Sequence, residues 1–178
     1  KRLEKKYLEL KFPSKNICHI PISAENIHSN LKKNKLSDNL KFLYSGTYGI
    51  KDGVNFLINA FLKLTETNEK MELILAGKIN KTTKLMIKNK AQIKFVGLID
   101  DTKFYQYLKN ADVLMMTRIN SPYANAGFPF KLGEYLATGN AVIATNVSDV
   151  SFYFEDKKDI ILAKPSNLES LIDAIKFA

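Results

Sequence analysis

The chain has 178 residues, of which 46% are hydrophobic and 25% are charged. These values fit one globular domain, with or without an appendage, and exclude a disordered chain, a collagen and a coiled coil. The single cysteine, Cys18, excludes an internal disulfide framework and a cysteine-based zinc site, and it favours a reducing compartment. No apolar run approaches the roughly 20 residues that span a bilayer. Because the chain begins at Lys1 without a signal-type segment, we expect it to be part of a longer protein.

The formal net charge of +9 is unevenly distributed along the chain. Residues 1–41 hold ten Lys and Arg against four Asp and Glu, whereas residues 42–178 hold seventeen against fourteen. A basic leading segment on a near-neutral body indicates a solvated linker, a membrane-facing patch or a partner surface. It argues against a nucleic-acid binder, as does the lack of a known nucleic-acid motif. Only Arg2 and Arg118 among the 27 basic residues are arginines.

The first 39 residues differ in pattern from the rest. Residues 2–11 predict an amphipathic helix with three apolar side chains on one stripe: Leu3, Tyr7 and Leu10. Residues 17–22 are apolar but contain Pro21, which predicts an edge strand or a linker. Residues 28–39 are rich in Asn, Lys and Ser and predict a loop. We therefore divide the chain into an N-terminal helix and linker, 1–39, and a main domain, 40–178.

From residue 40 onward, short apolar segments alternate with helical patterns. The predicted strands are 40–45, 72–76, 92–96, 112–117, 141–144 and 159–163. The predicted helices are 54–64, 81–89, 101–110, 130–138, 148–154 and 167–177. Continuously apolar strands are buried on both faces, which is typical of parallel sheets covered by helices. The pattern predicts an α/β fold with a doubly wound, six-stranded, Rossmann-like parallel sheet.

In the strand order 3-2-1-4-5-6, a ligand lies at the carboxyl ends of strands one and four, where the order reverses. The loop after strand one, 45–53, contains three glycines and leads into a helix. Gly46 and Gly49 let the backbone approach a ligand, and the helix amides with Lys51 favour an anion. This loop predicts a phosphate site, with a plain turn and a solvated lysine as the alternative.

The loop after strand four, 118–129, is long and shows no periodicity, which favours function. Pro129 suits the first turn of the next helix, so the amides of residues 128–132 predict a second anion site. On that helix Glu134 either pairs with Lys131 or accepts two hydrogen bonds from a vicinal diol such as a ribose. Gly133 inside the helix predicts that another segment packs closely there.

Several segments together resemble a known family. They are YSGTYGIKDGVNFLINAF, ELILAG, IKFVGLIDD, YLKNADVLMM and GFPFKLGEYLATGNAVIAT. In this order they resemble the C-terminal domain of GT-B glycosyltransferases, most closely the retaining family 4, also called glycosyl transferases group 1. The resemblance covers about residues 40–178, and ICHIPIS at 17–23 is similar to the family's interdomain strand.

The resemblance implies that the main domain binds a nucleotide-diphosphate sugar as donor substrate. It implies retaining transfer without a metal or a cofactor, in polysaccharide or glycan biosynthesis. The glycan or lipid-linked acceptor belongs to an N-terminal domain that this chain lacks, so we expect the chain to be inactive alone. The resemblance also implies a cytoplasmic protein, either free or peripheral at the membrane.

Site residues follow from the resemblance together with the two loops. Glu134 falls on the second glutamate of the family's E-x7-E motif, which holds the ribose. Gly127 and Phe128 lie against the donor sugar and phosphates, and Gly97–Ile99 fall on the loop that contacts the base. The complete candidate donor-binding set is Gly46, Thr47, Lys51, Gly97, Ile99, Arg118, Gly127, Phe128, Lys131, Leu132 and Glu134.

The sequence also departs from the family pattern. Ala126 replaces the first glutamate of the motif, while Thr47 and Asp52 stand where the family has an arginine and a lysine. The cations Lys51, Arg118 and Lys131 are candidates to replace the two that are lost. Ala126 leaves the catalytic groups unassigned. It also keeps open a second function, that of a non-catalytic nucleotide-sugar-binding or interaction module.

Overall fold

The computed structural model describes residues 1–20, 22–24, 38–66 and 70–178. Within these ranges it has six strands: β1 (Leu40–Ser45), β2 (Met71–Ala76), β3 (Ile93–Gly97), β4 (Val113–Met116), β5 (Ala141–Thr145) and β6 (Ile161–Ala163). The helices of the same ranges are α1 (Arg2–Glu9), α2 (Val54–Thr65), α3 (Lys81–Met86), α4 (Asp101–Asn110), α5 (Pro122–Asn125), α6 (Lys131–Ala137), α7 (Val150–Tyr153) and α8 (Leu168–Phe177).

The six strands form one parallel sheet in the order β3-β2-β1-β4-β5-β6. The predicted fold class and strand order are thus confirmed. β1 lies at the centre, where Phe42 is opposite Leu73 of β2 and Val113 of β4. The strand order reverses between β1 and β4, so the loops after these two strands flank the central crevice.

Two apolar cores lie on opposite faces of the sheet. Phe42 and Tyr44 of β1 point into the core beneath α2 and α8, while Leu43 between them points into the core beneath α4 and α6. Successive side chains of a strand alternate between faces, and here both faces are covered. This is why the strands are continuously apolar in sequence.

The structure differs from the sequence prediction mainly in the second loop. The stretch predicted to be without regular structure contains the short helix α5. The Ser121 hydroxyl accepts a hydrogen bond from the Ala124 N–H at 3.1 Å, and Pro122 occupies the first helical position. Ser followed by Pro is a strong helix start. A four-residue helix is too short to show periodicity, so the pattern did not reveal it.

The N-terminal segment lies on the main domain. Helix α1 has no buried residue, and the Asp149 carboxylate accepts the Arg2 N–H at 3.1 Å at its start. Residues 17–20 and 22–24 form no strand, which leaves the linker interpretation. Pro21 and most of the predicted loop 28–39 lie outside the described residues, so the domain boundary stays a prediction. In the described part of the chain, no helix has the length and apolarity needed to cross a membrane.

Candidate functional site

The loop after β1 folds around its own side chains. The Thr47 hydroxyl donates to Asp52 Oδ2 at 2.5 Å, and the Tyr44 hydroxyl donates to the Thr47 carbonyl at 2.6 Å. Asp52 is only 4% exposed. Thr47 and Asp52 therefore bind each other, and the buried carboxylate gains the hydrogen bond that its burial requires.

The two predicted loops touch each other at the backbone. A Cβ at Gly53, whose φ is +66°, would lie 2.0 Å from the Thr117 carbonyl oxygen, so only glycine fits there. The Ile119 N–H donates to the Lys51 carbonyl at 3.0 Å. The Thr117 hydroxyl donates to the Asp52 carbonyl at 3.3 Å. The loops after β1 and β4 thus form one continuous wall of the crevice.

Lys131 reaches from α6 across to the end of β1. Its ammonium donates to the Ser45 carbonyl at 2.8 Å and lies 4.4 Å from the centre of the Tyr44 ring. Gly46, with φ of +144°, makes room for it, because a Cβ there would lie 2.6 Å from Lys131 Nζ. The α6 lysine therefore brings a positive charge to the end of β1 and the start of the first loop.

The charge on Lys131 is sensitive to its surroundings. Burial lowers the pKa of its ammonium to about 8, and the positive charges of Arg118 and Lys51 act in the same direction. The carboxylates of Asp52 and Glu134 oppose this and raise the pKa. An anionic ligand near Lys131 would stabilise the charged form of the ammonium and raise its pKa.

Glu134 does not form an ion pair with Lys131, the first of the two alternatives that the sequence left open. Among the ion pairs between described residues, none involves Glu134. The predicted close packing at Gly133 is confirmed, because a Cβ there would lie 3.4 Å from the Ala24 side chain and 3.5 Å from that of Ile22. The assignment of Glu134 to a ligand diol stays a prediction.

The second loop is fixed by contacts to other elements. Arg118 Nη1 donates to the Gly127 carbonyl at 2.9 Å, whereas Arg118 Nε is buried without a partner among the described residues. The Thr145 hydroxyl of β5 donates to the Arg118 carbonyl at 2.7 Å. Asn125 Oδ1 accepts from the Ser148 N–H at 2.8 Å. The loop is irregular but anchored along its length.

The start of α6 differs from the prediction. Leu132 is fully buried, and its side chain belongs to the core beneath α6. Its N–H donates to the Pro129 carbonyl, and the Gly133 N–H to the Phe130 carbonyl, each at 3.1 Å. The Leu132 side chain and amide are thus both engaged within the protein, and its role as a ligand contact stays a prediction.

The Phe128 ring packs on aromatic neighbours. Its centre lies 5.5 Å from the Tyr153 ring, nearly edge to face, and 6.4 Å from the Phe154 ring. This packing fixes the turn that Gly127 and Phe128 form before α6. A contact of this turn with a ligand would therefore be made by its backbone.

Gly97 and Ile99 lie farther along the same edge of the sheet. The Gly97 carbonyl accepts the Gly77 N–H at 2.8 Å, and a Cβ at Gly77 would lie 2.0 Å from the Gly46 carbonyl oxygen. Gly97 is thus two strands, or roughly 10 Å, from Gly46. Ile99 is half-buried in the loop before α4. A ligand that contacts both Gly46 and Gly97 would have to span this distance of roughly 10 Å.

Two residues of the site were not selected from the sequence. The Tyr135 hydroxyl lies 3.3 Å from both the Ser45 N–H nitrogen and the Ser45 carbonyl oxygen, and so holds the end of β1. Its position four residues after Lys131, on the same helical face, is a signal that could have revealed it. Asn125, which joins the second loop to the α7 region, carries no such signal.

The crevice therefore combines cations, a carboxylate and backbone turns. Lys51, Arg118 and Lys131 supply positive charge suited to phosphate oxygens, and the Glu134 carboxylate suits a diol. In the described part of the chain, no three His, Cys, Asp or Glu side chains come together as a metal site.

A family model described as "Glycosyl transferases group 1" matches residues 39–178. Two similar solved structures are Anabaena Alr3699/HepE in complex with UDP (TM-score 0.79, 17% identity) and a glycosyltransferase from Rickettsia africae ESF-5 (TM-score 0.83, 20% identity). Each match covers 98% of this chain but only 50% of the other.

A third similar structure is the C-terminal domain of the Francisella tularensis group 1 family protein LpcC. It has a TM-score of 0.65 and 18% identity, with 77% of this chain and 73% of the other covered. No curated protein sequence gave a significant match. The chain thus spans about half the length of the first two solved relatives.

Proposed function

Because the chain belongs to the glycosyl transferases group 1 family, we propose that its crevice binds the donor of a glycosyl transfer, a sugar activated by a nucleoside diphosphate. The observation that carries this proposal is the meeting of the two loops at the strand reversal, with Lys131 reaching across to Ser45. HepE, similar to this chain in fold, has been solved with UDP and with UDP-glucose.

The diphosphate is bound by cations from both sides of the crevice. Lys131 is the principal one, since its half-buried ammonium contacts a carbonyl oxygen and a ring but, among the described residues, forms no ion pair. Lys51 lies 4.6 Å from the centre of the Tyr123 ring, at the outer rim. Arg118, at the start of the second loop, adds a further positive charge. The backbones of Gly46, Thr47 and Gly127 approach the phosphates and the sugar.

The nucleoside occupies the remaining part of the site. Glu134 accepts two hydrogen bonds from the ribose diol, and Gly97 to Ile99 border the base. The distance between Gly46 and Gly97 along the sheet edge supports this division. Tyr48 and Tyr123 are candidates for stacking on the donor.

We propose a retaining transfer that requires neither a metal nor a cofactor besides the donor. The catalytic groups stay unassigned, because Ala126 supplies no carboxylate. A glycan or lipid-linked acceptor would bind the half of the protein that the longer relatives possess, so this chain alone should not turn over. Steady transfer by the isolated chain, or loss of the complete protein's activity in EDTA, would contradict these two points.

We place the protein in the cytoplasm, either free or peripheral at the membrane. The exposed Leu3, Tyr7 and Leu10 of the α1 region, beside basic residues, support a peripheral contact. Co-sedimentation with anionic vesicles, compared with neutral ones, tests this part separately.

The decisive test is a thermal-shift screen of the chain with UDP, GDP and ADP and with their sugars. A ligand at a hundred times its Kd should stabilise the fold by about 2.7 kcal/mol. Stabilisation by one nucleotide series supports the donor site, and no stabilisation by any of them contradicts it.

The alternative function is a nucleotide-sugar-binding or interaction module without catalysis, favoured by Ala126. It shares the binding and lacks the transfer. Donor turnover by the complete protein with an acceptor present therefore separates the two functions.

A further inference from the structure

The two arginines of the chain meet the same turn of the second loop. Arg2 Nη1 donates to Asn125 Oδ1, and Arg118 Nη1 donates to the Gly127 carbonyl, each at 2.9 Å. All other residues among the 27 Lys and Arg are lysines. We propose that Arg2 and Arg118 are positioning residues that hold residues 125–127 in place for donor binding. We name this pair the arginine clamp, and its link to the donor rests on the proposed function.

Both contacts are single N–H donations from a guanidinium. Each guanidinium directs one N–H to a single oxygen atom and keeps its orientation through its planar shape. The Asn125 oxygen also accepts the Ser148 N–H at 2.8 Å, while the Asn125 amide donates to Asn120 Oδ1 at 3.0 Å. Asn125 thus connects Arg2 by hydrogen bonds to the second loop and to the segment before α7.

Arg118 also links the clamp to the ligand. Its Nε–H is buried and lacks a partner among the described residues, although an unpaired buried donor is costly. A phosphate oxygen entering the crevice would supply the missing acceptor. The same guanidinium would then join the Gly127 carbonyl to the diphosphate, so ligand binding and the position of the turn become coupled.

Arg2 brings a distant part of the chain into this arrangement. It lies on α1, outside the residues that match the family, and is 123 positions from Asn125. Its own N–H is held by the Asp149 carboxylate at 3.1 Å, which fixes the start of α1 on the domain. A change in the orientation of α1 would therefore move residues 125–127, which border the proposed donor site.

The test combines UDP titration with amide hydrogen exchange on the complete 178-residue chain. We expect Arg2→Gln to weaken UDP binding about two- to tenfold, as for the loss of one hydrogen bond. Exchange over residues 121–130 should accelerate, while exchange in β1 and β4 stays as in the unmodified chain. Lys5→Gln removes an exposed α1 cation and serves as the matched control, with no change in either measurement.

The clamp would be overturned if Arg2→Gln showed the same exchange rates over residues 121–130 as the unmodified chain. If Arg2→Gln accelerates exchange throughout the sheet, Arg2→Lys decides, because it keeps the charge and loses the planar contact. Acceleration confined to 121–130 in that variant supports the clamp, and unchanged exchange overturns it. If UDP, GDP and ADP all fail to bind the unmodified chain, the donor proposal fails, while the exchange measurement still tests the clamp.

Discussion

The two loops that form the crevice contact each other and differ in their remaining side-chain contacts. The loop after β1 is held from within, because Tyr44, Thr47 and Asp52 bind one another. The loop after β4 is held from outside, by Thr145 of β5, by Ser148 and by Arg2 of α1. The first loop is also bonded by Lys131 of α6, but it has a buried hydroxyl–carboxylate contact of its own. The second loop depends on contacts from α1, β5 and the segment before α7. We therefore expect the first loop to keep its conformation when distant elements move, and the second loop to shift with them.

The largest effect should come from breaking the contact between the loops. Gly53→Ala adds a Cβ that would lie 2.0 Å from the Thr117 carbonyl oxygen at a φ of +66°. We expect a loss of about 3–5 kcal/mol in the free energy of unfolding, from backbone strain and overpacking together. Urea denaturation measures it.

Gly139→Ala is the matched control for that variant. Its φ of +73° is similar, but no atom lies within 4 Å of the added Cβ. We expect a loss of only about 1–2 kcal/mol there, from backbone conformation alone. Equal losses at the two glycines would mean that the contact between the loops does not contribute.

The next effect concerns the α6 wall that faces both loops. Glu134→Ala should weaken nucleoside diphosphate binding by about 1.5–3 kcal/mol, because a diol would lose a charged acceptor. Isothermal titration calorimetry with UDP measures the change, and Glu169→Ala on the far helix α8 is the control. A folded Glu134→Ala chain that binds as tightly as the unmodified chain would remove the ribose assignment.

Diphosphate binding should depend on pH through Lys131, which joins α6 to the first loop. Because the pKa of Lys131 is lowered from 10.5 to about 8, its charge is lost above pH 8 in the unliganded protein. Diphosphate affinity should then fall, by at most about tenfold per pH unit. Lys131→Met should abolish this pH dependence, and a dependence that persists would show that another group causes it.

The same group should affect stability with the opposite sign. Between pH 8 and 10.5 the unfolded chain binds the proton that the folded chain has released. The Lys131 contribution to the free energy of unfolding therefore rises with pH across this window. Urea titrations at several pH values, compared between the unmodified chain and Lys131→Met, isolate this contribution.

The smallest effect should come from the side-chain contact between the loop rims. Lys51→Met removes the cation that lies 4.6 Å from the Tyr123 ring centre. Because the contact is exposed, we expect a loss of about 0.5–1 kcal/mol in the free energy of unfolding. Lys51 is also a proposed phosphate ligand, so UDP affinity should fall as well. Unchanged UDP affinity would limit its role to the contact between the rims.

The fold could be predicted from sequence more completely than the site. Six buried strands alternating with helices admit few parallel arrangements, and chain order then places the two loops together. The residue type of Cys18 predicts a small core residue, and this prediction is wrong, because Cys18 is exposed. The pattern could not show that Leu132 faces the core or that Asp52 binds Thr47, because both depend on how α6 and the loop pack.

The same limit applies to Glu134 and Asn125. For Glu134 the sequence left two alternatives, and it could not show that the Lys131 side chain runs towards Ser45. Asn125 binds Ser148 and Arg2, which are far away in sequence, so no local motif could indicate its importance. Contacts between distant segments are the part of a site that spacing rules do not reach.

The central position of β1 has a consequence for how the protein is assembled. β1, β2 and β3 follow one another along the chain, but β4 must return to the opposite side of β1. This junction is closed by a reciprocal pair, in which the Lys41 N–H donates to Asp112 Oδ2 and the Asp112 N–H to the Lys41 carbonyl, each at 2.9 Å. Pairings that are distant in sequence form slowly, since a long loop must first be closed. We therefore expect nascent chains to build the β1–β3 half during synthesis, and to acquire the ligand crevice only when β4 docks.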